Sequence, residues 1–393
     1  MSVLTGFDFR VRIVAMVSVN LELFADCIAA ICARTQCVPE RPLQWTVIAN
    51  PLAGGFTIRS RWRKHYAQLC ASREKARAYP VHKNVSPSVI TKQRGAKNGL
   101  MTTTGPGHAG SITRSLISMA LPTDEPTYDG VFYLIITAGG DGTSREVASA
   151  LSEAPPDFLH NCVLLSLPLG TGNDGADDGE LDKALDLLIL PSRIEYARSL
   201  QLRTATAGKG PFMAFNVLSV GLDAFVTHQT NKMKGKMPGD SYKLWVDLAA
   251  LFYDKIYRVG PLTIATFNAE GKQVYAEEQR VLLMAVGVSG RRTYGSGIKI
   301  LPDERNICII RQMPLMHKIL IKEKVSAGTH TKEKEVTLLN AERIEMSGLY
   351  PLLAQMDGET VLLKPQDFPA SIELTEPLIP HLVPASGGYH GRQ

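Results

Sequence analysis

The segment Gly139-Gly140-Asp141-Gly142-Thr143 sets glycines and a hydroxyl around a single carboxylate. Glycines let a backbone approach a ligand closely and turn consecutive N–H groups toward one anion. A helix starting just beyond them would add the positive end of its dipole. A carboxylate among anion-facing amides needs a cation between itself and the anion. Mg2+, which bridges carboxylates to phosphates and keeps several waters, meets that need. A tight strand-to-helix turn with Asp141 as the helix cap accounts for the same residues equally well. A second segment, Pro168-Leu169-Gly170-Thr171-Gly172-Asn173-Asp174, repeats the pattern of glycines, a hydroxyl and a carboxylate. Brought side by side, the two would direct Asp141 and Asp174 to one water-bridged Mg2+.

Both segments follow apolar runs that read as buried strands, Val131 to Thr137 and Cys162 to Leu167. Trp45 to Ala49 reads as an earlier strand that ends at Asn50-Pro51, with Gly54-Gly55 beyond it. Helical stretches lie between: Thr57 to about Arg77 with a basic face, His108 to Ala120, Ser144 to Leu151 and Leu181 to Leu190. Residues 80–98 are polar and without period, which predicts a flexible insertion. The alternation from Trp45 to Leu190 predicts a doubly wound α/β lobe, in which ligands bind beyond the carboxyl ends of the strands. After Pro191 strand-like pieces dominate: Phe212 to Leu218, Leu262 to Phe267, Arg280 to Val286, Ile307 to Arg311, Glu335 to Leu339 and Val361 to Leu363. One helical segment, Tyr242 to Tyr257, interrupts them, so a second, β-rich lobe is expected.

The bulk properties fit two lobes. The chain has 393 residues, is 45% hydrophobic and 21% charged, and carries a net charge of +5; this is the composition of a globular protein with a mild preference for anionic partners. Its six cysteines are sparse and form no C-x-x-C pair, which argues against a disulfide scaffold and tetrahedral zinc and for a reducing compartment. The apolar stretch Val11 to Ala33 carries Asn20, Glu22 and Asp26, which argues for an amphipathic extension rather than a membrane span or a cleaved signal. No helix-turn-helix, zinc-finger or RNA-binding motif is present, so a nucleic-acid partner is not expected.

Taken together, GGDGT and PLGTGND resemble the signature of the diacylglycerol kinase and bacterial lipid kinase family, whose catalytic lobe is related to that of NAD kinases. Asn50-Pro51 with Gly54 is similar to that family's N-P-x-x-G loop. Asn216, Ser219, Gly221, Asp223 and Ala224 resemble its entry into the second domain, Lys234 to Tyr242 its K-x-x-x-G-x-x-x-Y approach to a helix, and Asp357-Gly358-Glu359 its D-G-E. The resemblance implies an N-terminal extension over residues 1–44, a nucleotide-binding α/β lobe over 45–191 and a β-sandwich-like lobe over 192–363. A tail over 364–393 would pack back near the first lobe, and the active site would lie in the interlobe cleft. It further implies ATP held by Asn50, Pro51, Gly54, Gly139, Gly140, Asp141, Gly142, Thr143, Gly170, Thr171, Gly172 and Asn173. Mg2+ would be held by Asp141 and Asp174 through water, and Glu359 would be the general base, with Asp357 orienting it or stabilising its charge.

The acceptor implied is a lipid hydroxyl, first of all that of diacylglycerol, in a cytoplasmic protein touching the membrane peripherally through Lys232, Lys234 and Lys236 or the Arg59 to Lys64 stretch. A homodimer stays open. So do three other readings: an NAD kinase, a sphingoid or ceramide-type kinase, and a non-catalytic nucleotide-binding protein. Where the family tends to show P-x-A followed by D-G, this chain has Pro302-Asp303-Glu304-Arg305-Asn306, which puts a secondary structural metal site there in doubt.

Overall fold

The computed structural model describes residues 3–37, 41–121, 130–170, 180–233, 253, 259–294 and 298–385, with backbone alone for 3–14 and 294. It divides into two units, Met1–Ala197 with the strand that returns after Leu378, and Arg198–Pro377.

The first unit begins with α1 (Val3–Cys32), β1 (Leu43–Ala49), α2 (Gly54–Thr57) and α3 (Arg59–Ala76). β2 (Val85–Pro87), α4 (Val89–Gln93), β3 (Leu100–Thr102) and α5 (His108–Ala120) follow. Then come β4 (Phe132–Gly139), α6 (Asp141–Ser152), α7 (Pro156–Leu159), β5 (Cys162–Pro168), α8 (Leu181–Ile189) and β6 (Ser192–Ala197). The sheet runs β2, β1, β4, β5, the return strand Ile379–Pro384, and β6, with β3 beside the second half of β1. β1, β4 and β5 are parallel, and their apolar residues lie on both faces. Trp45, Val47, Leu134, Ile136, Val163 and Leu165 face α1, α3 and α8 in one core. The other face of β4 presents Thr137, whose hydroxyl meets that of Ser144 in α6 at 2.8 Å. Helices therefore cover both faces, which is the doubly wound arrangement the near-continuous apolar strands require.

Two parts of this unit differ from the sequence expectation. Residues 80–98 are not a patternless insertion: β2 pairs in parallel with Leu43 to Trp45, and Ile90 and Thr91 of α4 are buried. A strand of three residues and a helix of five are too short to show a period, which is why composition alone mimicked a loop. The second difference is α1, whose Phe24, Ile28 and Ile31 are fully buried in the same core as β1 and β4. Each such side chain contributes about 1.5–3 kcal/mol of burial, so α1 is part of the unit's core.

The second unit contains β7 (Leu200–Arg203), β8 (Phe212–Ala214), β9 (Val217–Gly221), α9 (Leu222–Met233), β10 (Pro261–Phe267) and β11 (Gln273–Gly287). It continues with β12 (Arg292–Tyr294), β13 (Ile298–Leu301), β14 (Ile307–Arg311), α10 (Leu315–Ala327), β15 (Val336–Leu339), β16 (Arg343–Gly348), β17 (Leu352–Met356), β18 (Glu359–Leu363) and β19 (Ala370–Leu374). The return strand Ile379–Pro384 of the first unit is β20. One sheet of 11 strands runs β18, β17, β9, β11, β10, β16, β19, β7, β8, with β14 and β15 branching from β11. β11 is 15 residues long and serves two sets of neighbours: its first half pairs with β10, its second with β9 and β14. The sheet wraps around Leu202, Val220, Ile264, Met284, Ile344 and Ile372.

Strand alternation predicts a strand but not the sheet it joins, and the unit boundaries moved accordingly. β6 pairs with β20 in the first unit's sheet. The stretch after Leu363 divides: β19 lies between β16 and β7 in the second unit, and β20 lies between β5 and β6 in the first. The segment Tyr242 to Tyr257 lies outside the described residues except for Tyr253, whose ring centroid is 5.2 Å from that of Phe225.

Two consequences can be measured. Phe24→Ala should cost about 3–5 kcal/mol, read as a lower urea midpoint at unchanged slope; a variant as stable as the parent would make α1 an appendage. In the second unit, Lys209 foremost, then the Thr206 hydroxyl and the Lys364 N–H, hold the Asp367 carboxyl down at about 2 from an ordinary 3.8. A lowered carboxyl favours the folded state above the ordinary value, and that contribution is lost as pH falls through the folded one. Acid unfolding followed by circular dichroism should therefore steepen between pH 3.8 and about 2, and Asp367→Asn should remove that component.

Candidate active site

The parallel register of three strands decides where the glycine segments meet. Ala49 of β1 lies opposite Ala138 of β4, and Ala138 opposite Leu167 of β5, so all three strands reach their carboxyl ends together. Asn50–Gly54, Gly139–Gly142 and Leu169–Gly170 leave from that one edge. They touch. The Asn50 N–H donates to the Ala138 carbonyl at 2.9 Å, and the Gly55 N–H to the Leu169 carbonyl at 2.8 Å. A Cβ on Gly139 would stand 2.6 Å from Thr143 Oγ1 and 3.3 Å from Asn50 Cβ, and one on Gly55 would stand 2.7 Å from the Leu169 oxygen. A side chain is excluded at Gly55 by the backbone of a neighbouring loop, and at Gly139 by the Thr143 side chain of the helix that follows.

Asp141 is not the cap of α6. The helix begins at Asp141 itself, Gly140 is the N-cap, and no side chain caps it. The carboxylate thus sits in the first helical turn, where the dipole favours negative charge, on the same edge as the glycine loops. Thr143 is buried against Gly139, and its N–H donates to the Gly140 carbonyl at 3.0 Å. Pro51 follows Asn50 in a turn closed by the Leu52 N–H donating to Asn50 Oδ1 at 3.0 Å. Thr171, Gly172, Asn173 and Asp174 lie outside the described residues.

A fourth loop, which sequence reasoning missed, leaves the same edge. β3 lies beside β1 with Thr102 opposite Ala49, and the Thr103 N–H donates to the Ala49 carbonyl at 2.8 Å. Thr102 to Gly107 therefore enters the candidate site just before α5. Glu146 of α6 ties this loop to its neighbour: its carboxylate accepts the N–H of Gly107 at 2.7 Å and of Ala109 at 3.0 Å, capping α5 from another helix. The signal was present in the sequence as hydroxyls followed by Gly105-Pro106-Gly107, which shares the glycines and hydroxyls of the other two loops but not their carboxylate. The strand announcing it is only 3 residues long.

The D-G-E segment forms a separate arrangement within the second unit. β17 and β18 pair with Met356 opposite Glu359, so Asp357 and Gly358 are the two turn residues, with φ of 46° and 92°. Positive φ at both positions is the hairpin geometry that Asp-Gly favours. The Asp357 carboxylate accepts the N–H groups of Phe215, Asn216 at 3.1 Å and Val217 at 3.0 Å. This engages Asp357 with the backbone between β8 and the start of β9. The Gly358 N–H donates to Gln355 Oε1 at 2.9 Å, and its carbonyl accepts from Asn231 of α9 at 2.7 Å. Gln355 donates in turn to Ser219 Oγ at 3.0 Å and Asp223 Oδ2 at 3.2 Å, and Ser219 bonds the same Asp223 oxygen. The turn is fixed from three sides, and Glu359 leaves it exposed to solvent.

Among the described residues no group of three or more His, Cys, Asp or Glu could hold a metal directly. A Mg2+ bound chiefly through waters and phosphates needs only one or two carboxylates, and Asp141 at the edge fits that lesser demand. Around Pro302 to Asn306, the doubtful position for a structural metal, the Arg305 guanidinium holds the Asp303 carboxylate below its ordinary range. The loop is closed by a cation of its own.

Comparison with known proteins matches both arrangements. A model of the diacylglycerol kinase catalytic domain matches residues 44–190, and one of the YegS C-terminal NAD kinase beta sandwich-like domain matches residues 216–379. The chain belongs to the diacylglycerol kinase and bacterial lipid kinase family. It is 32% identical over 180 residues to a Xanthomonas euvesicatoria protein named a probable lipid kinase, YegS-like, a match covering 46% of this chain and 54% of that protein. The chain thus spans about half the length of this relative. It is 23% identical over 330 residues to YtlR of Bacillus subtilis, a proposed lipid kinase, covering 80% and 93% of the two chains. A crystal structure of a Bacillus anthracis protein proposed to be a diacylglycerol kinase shares the fold, with TM-score 0.54, 18% identity and coverage of 86% and 94%.

The crowding at Gly139 is directly testable. Gly139→Ala should weaken ATP binding, measured by calorimetry with Mg2+ present, by tenfold or more, since a Cβ 2.6 Å from Thr143 Oγ1 must displace the loop. Gly142→Ala, with nothing within 4 Å of its Cβ, should change it far less.

Proposed function

We propose that the protein is an ATP-dependent lipid kinase that transfers the γ-phosphoryl group of ATP to a lipid hydroxyl, with diacylglycerol as the acceptor and phosphatidic acid as the product. The observation that carries this reading is the meeting of Asn50–Gly55, Gly139–Thr143 and Leu169–Gly170 at the carboxyl ends of the parallel strands β1, β4 and β5. That edge is where open α/β sheets bind nucleotides, and its glycines leave the backbone amides room to approach phosphates.

Phosphoryl transfer asks the protein for positioning, charge neutralisation and a group to take the acceptor's proton. The glycine loops hold the triphosphate, with Thr143 and Thr171 adding hydroxyl contacts and Asn173 steadying the nucleotide. Asp141 and Asp174 would hold Mg2+ through water, and the ion would supply charge neutralisation at the phosphates. Glu359 accepts the proton of the attacking hydroxyl as its oxygen bonds the γ-phosphorus and ADP departs. Asp357 is a positioning residue: its three backbone hydrogen bonds fix the turn from which Glu359 projects. The family to which the chain belongs supports the choice of a lipid acceptor.

The test offers labelled ATP with diacylglycerol, a sphingoid base or NAD to the purified chain. Label in phosphatidic acid is expected. Label in NADP, or Mg2+-dependent ATP binding with no turnover of any acceptor, would overturn the proposal. Glu359→Gln should lower turnover by ~100-fold or more while leaving the affinity for ATP unchanged; strong residual turnover would remove Glu359 from the role.

A further inference from the structure

Four of the six cysteines, Cys27, Cys32, Cys37 and Cys70, lie in or against the core that α1 shares with α3. Cys32 and Cys37 are enclosed there, and Cys162 and Cys308 are buried elsewhere. Among the described residues Cys70 is the one cysteine that is not buried. Its side chain is in hydrogen-bonding contact with that of Cys27, so the two thiols meet across the packing of α3 on α1. The helices set this meeting. Trp62, Tyr66 and Cys70 recur at every fourth position of α3 and so share one face. The Phe56 and Trp62 ring centroids are 6.0 Å apart, and Trp62 stacks on Tyr66 at 5.5 Å. The Tyr66 hydroxyl hydrogen-bonds with the Cys70 sulfur. On α1, Phe24 packs on Phe56 one turn before Cys27, so a row of rings ends at the thiol pair. Arg73, one turn beyond Cys70, is close enough to act on the charge of both Cys27 and Tyr66. Enclosed thiols are inert, whereas reactive ones are open to a reagent in electropositive surroundings.

We infer that Cys27 and Cys70 are a site of reversible oxidation, at which a hydroperoxide converts the two thiols into a disulfide joining α1 to α3. The reaction starts at Cys70, the thiol a reagent can reach. Burial, and after it the neighbouring Cys70, pushes the Cys27 thiol up to about 11, so Cys27 keeps its proton during that step. The Cys70 thiolate attacks the outer oxygen of the hydroperoxide, the O–O bond breaks, and Cys70 becomes a sulfenic acid while the other oxygen leaves as an alcohol or water. The Cys27 sulfur then attacks the Cys70 sulfur. The S–S bond forms, the S–O bond breaks, and the departing hydroxide takes the Cys27 proton as water. Two thiols have lost two electrons to one hydroperoxide, and a dithiol returns them by exchange. A transient bond of this kind is compatible with a reducing compartment, where a permanent scaffold is not. It closes the chain between residues 27 and 70, which narrows the unfolded ensemble and holds α1 on the unit whose core it fills.

The test treats the folded full chain with hydrogen peroxide, blocks the remaining thiols with N-ethylmaleimide and maps the peptides by mass spectrometry, a readout that involves no turnover and is independent of the kinase reading. A peptide pair linked through Cys27 and Cys70 is expected, and dithiothreitol should release it. The oxidised chain should melt about 5 °C or more above the reduced one. Cys70→Ser, at a half-buried position, should abolish both the link and the shift. Cys27→Ala should leave Cys70 as a sulfenic acid that dimedone traps. Cys70 that stays a thiol in the parent, or is carried to the sulfinic acid without a link, would overturn the proposal. So would a link that forms only in urea, or one that joins two copies of the chain.

Discussion

Ala49, Ala138 and Leu167 stand abreast because β1, β4 and β5 run parallel without a register shift, and the chains leaving them must share one narrow edge. That shared edge is the constraint on which the first unit's candidate site depends. Three loops converge where there is space for backbone and little else, so glycine is required where the backbones cross: Gly139 against Thr143 and Asn50, and Gly55 against Leu169. The Asn50 and Gly55 amides tie these crossings together, donating to the Ala138 and Leu169 carbonyls. Asp141 then stands out as a carboxylate at the start of α6 rather than as its cap.

The second unit fixes the turn between β17 and β18, while Glu359 at its far side stays exposed to solvent. A two-residue hairpin would be free to rock on its strands. Here Asp357 takes three backbone N–H groups, Gln355 takes the Gly358 N–H, and Asn231 takes its carbonyl. Charge-assisted hydrogen bonds to a carboxylate are the stronger kind, so the turn's most negative group anchors it. Glu359 follows that turn as the first residue of β18. The Ser219, Asp223 and Gln355 network lies beneath and builds the floor of the turn.

Most of the first unit was legible because its strands are long apolar runs and its helices have a clear period. α5 runs from His108 to Ala120, as its pattern predicts, and β4 runs straight into the glycine loop. What escaped was short or depended on pairing. β2 and β3, of three residues each, carry no readable alternation, yet β3 delivers a fourth loop to the edge. Glu146 could not be recognised as the cap of α5, because it lies 37 residues beyond Ala109 and only the packing of α5 on α6 joins them. β6 and β20 read as strands of no particular sheet, and partner choice depends on contacts far apart in sequence. The Asp357-Gly358 turn was legible in its residue types, but the partners of the Asp357 carboxylate, the amides of residues 215–217, were not.

The N-terminal helix shows how composition and packing can point in different directions. Residues Ala15–Cys32 are long and apolar enough to cross a membrane, yet half of that window is buried within the structure. A core helix satisfies the same length and hydropathy, and the polar contacts separate the two cases. Asn20 is buried and donates its amide to the Phe56 carbonyl at 2.8 Å, and Asp26 accepts the Asn98 amide at 2.6 Å. Phe24 meets Phe56 edge-on with ring centroids 5.3 Å apart. Phe56 belongs to α2, directly after Gly55, whose N–H reaches the Leu169 carbonyl. A helix outside the matched catalytic domain therefore braces the short helix on which two of the edge loops depend. The core accounts for the buried half of that window, and Asn20 and Asp26 are accounted for by the groups they hold.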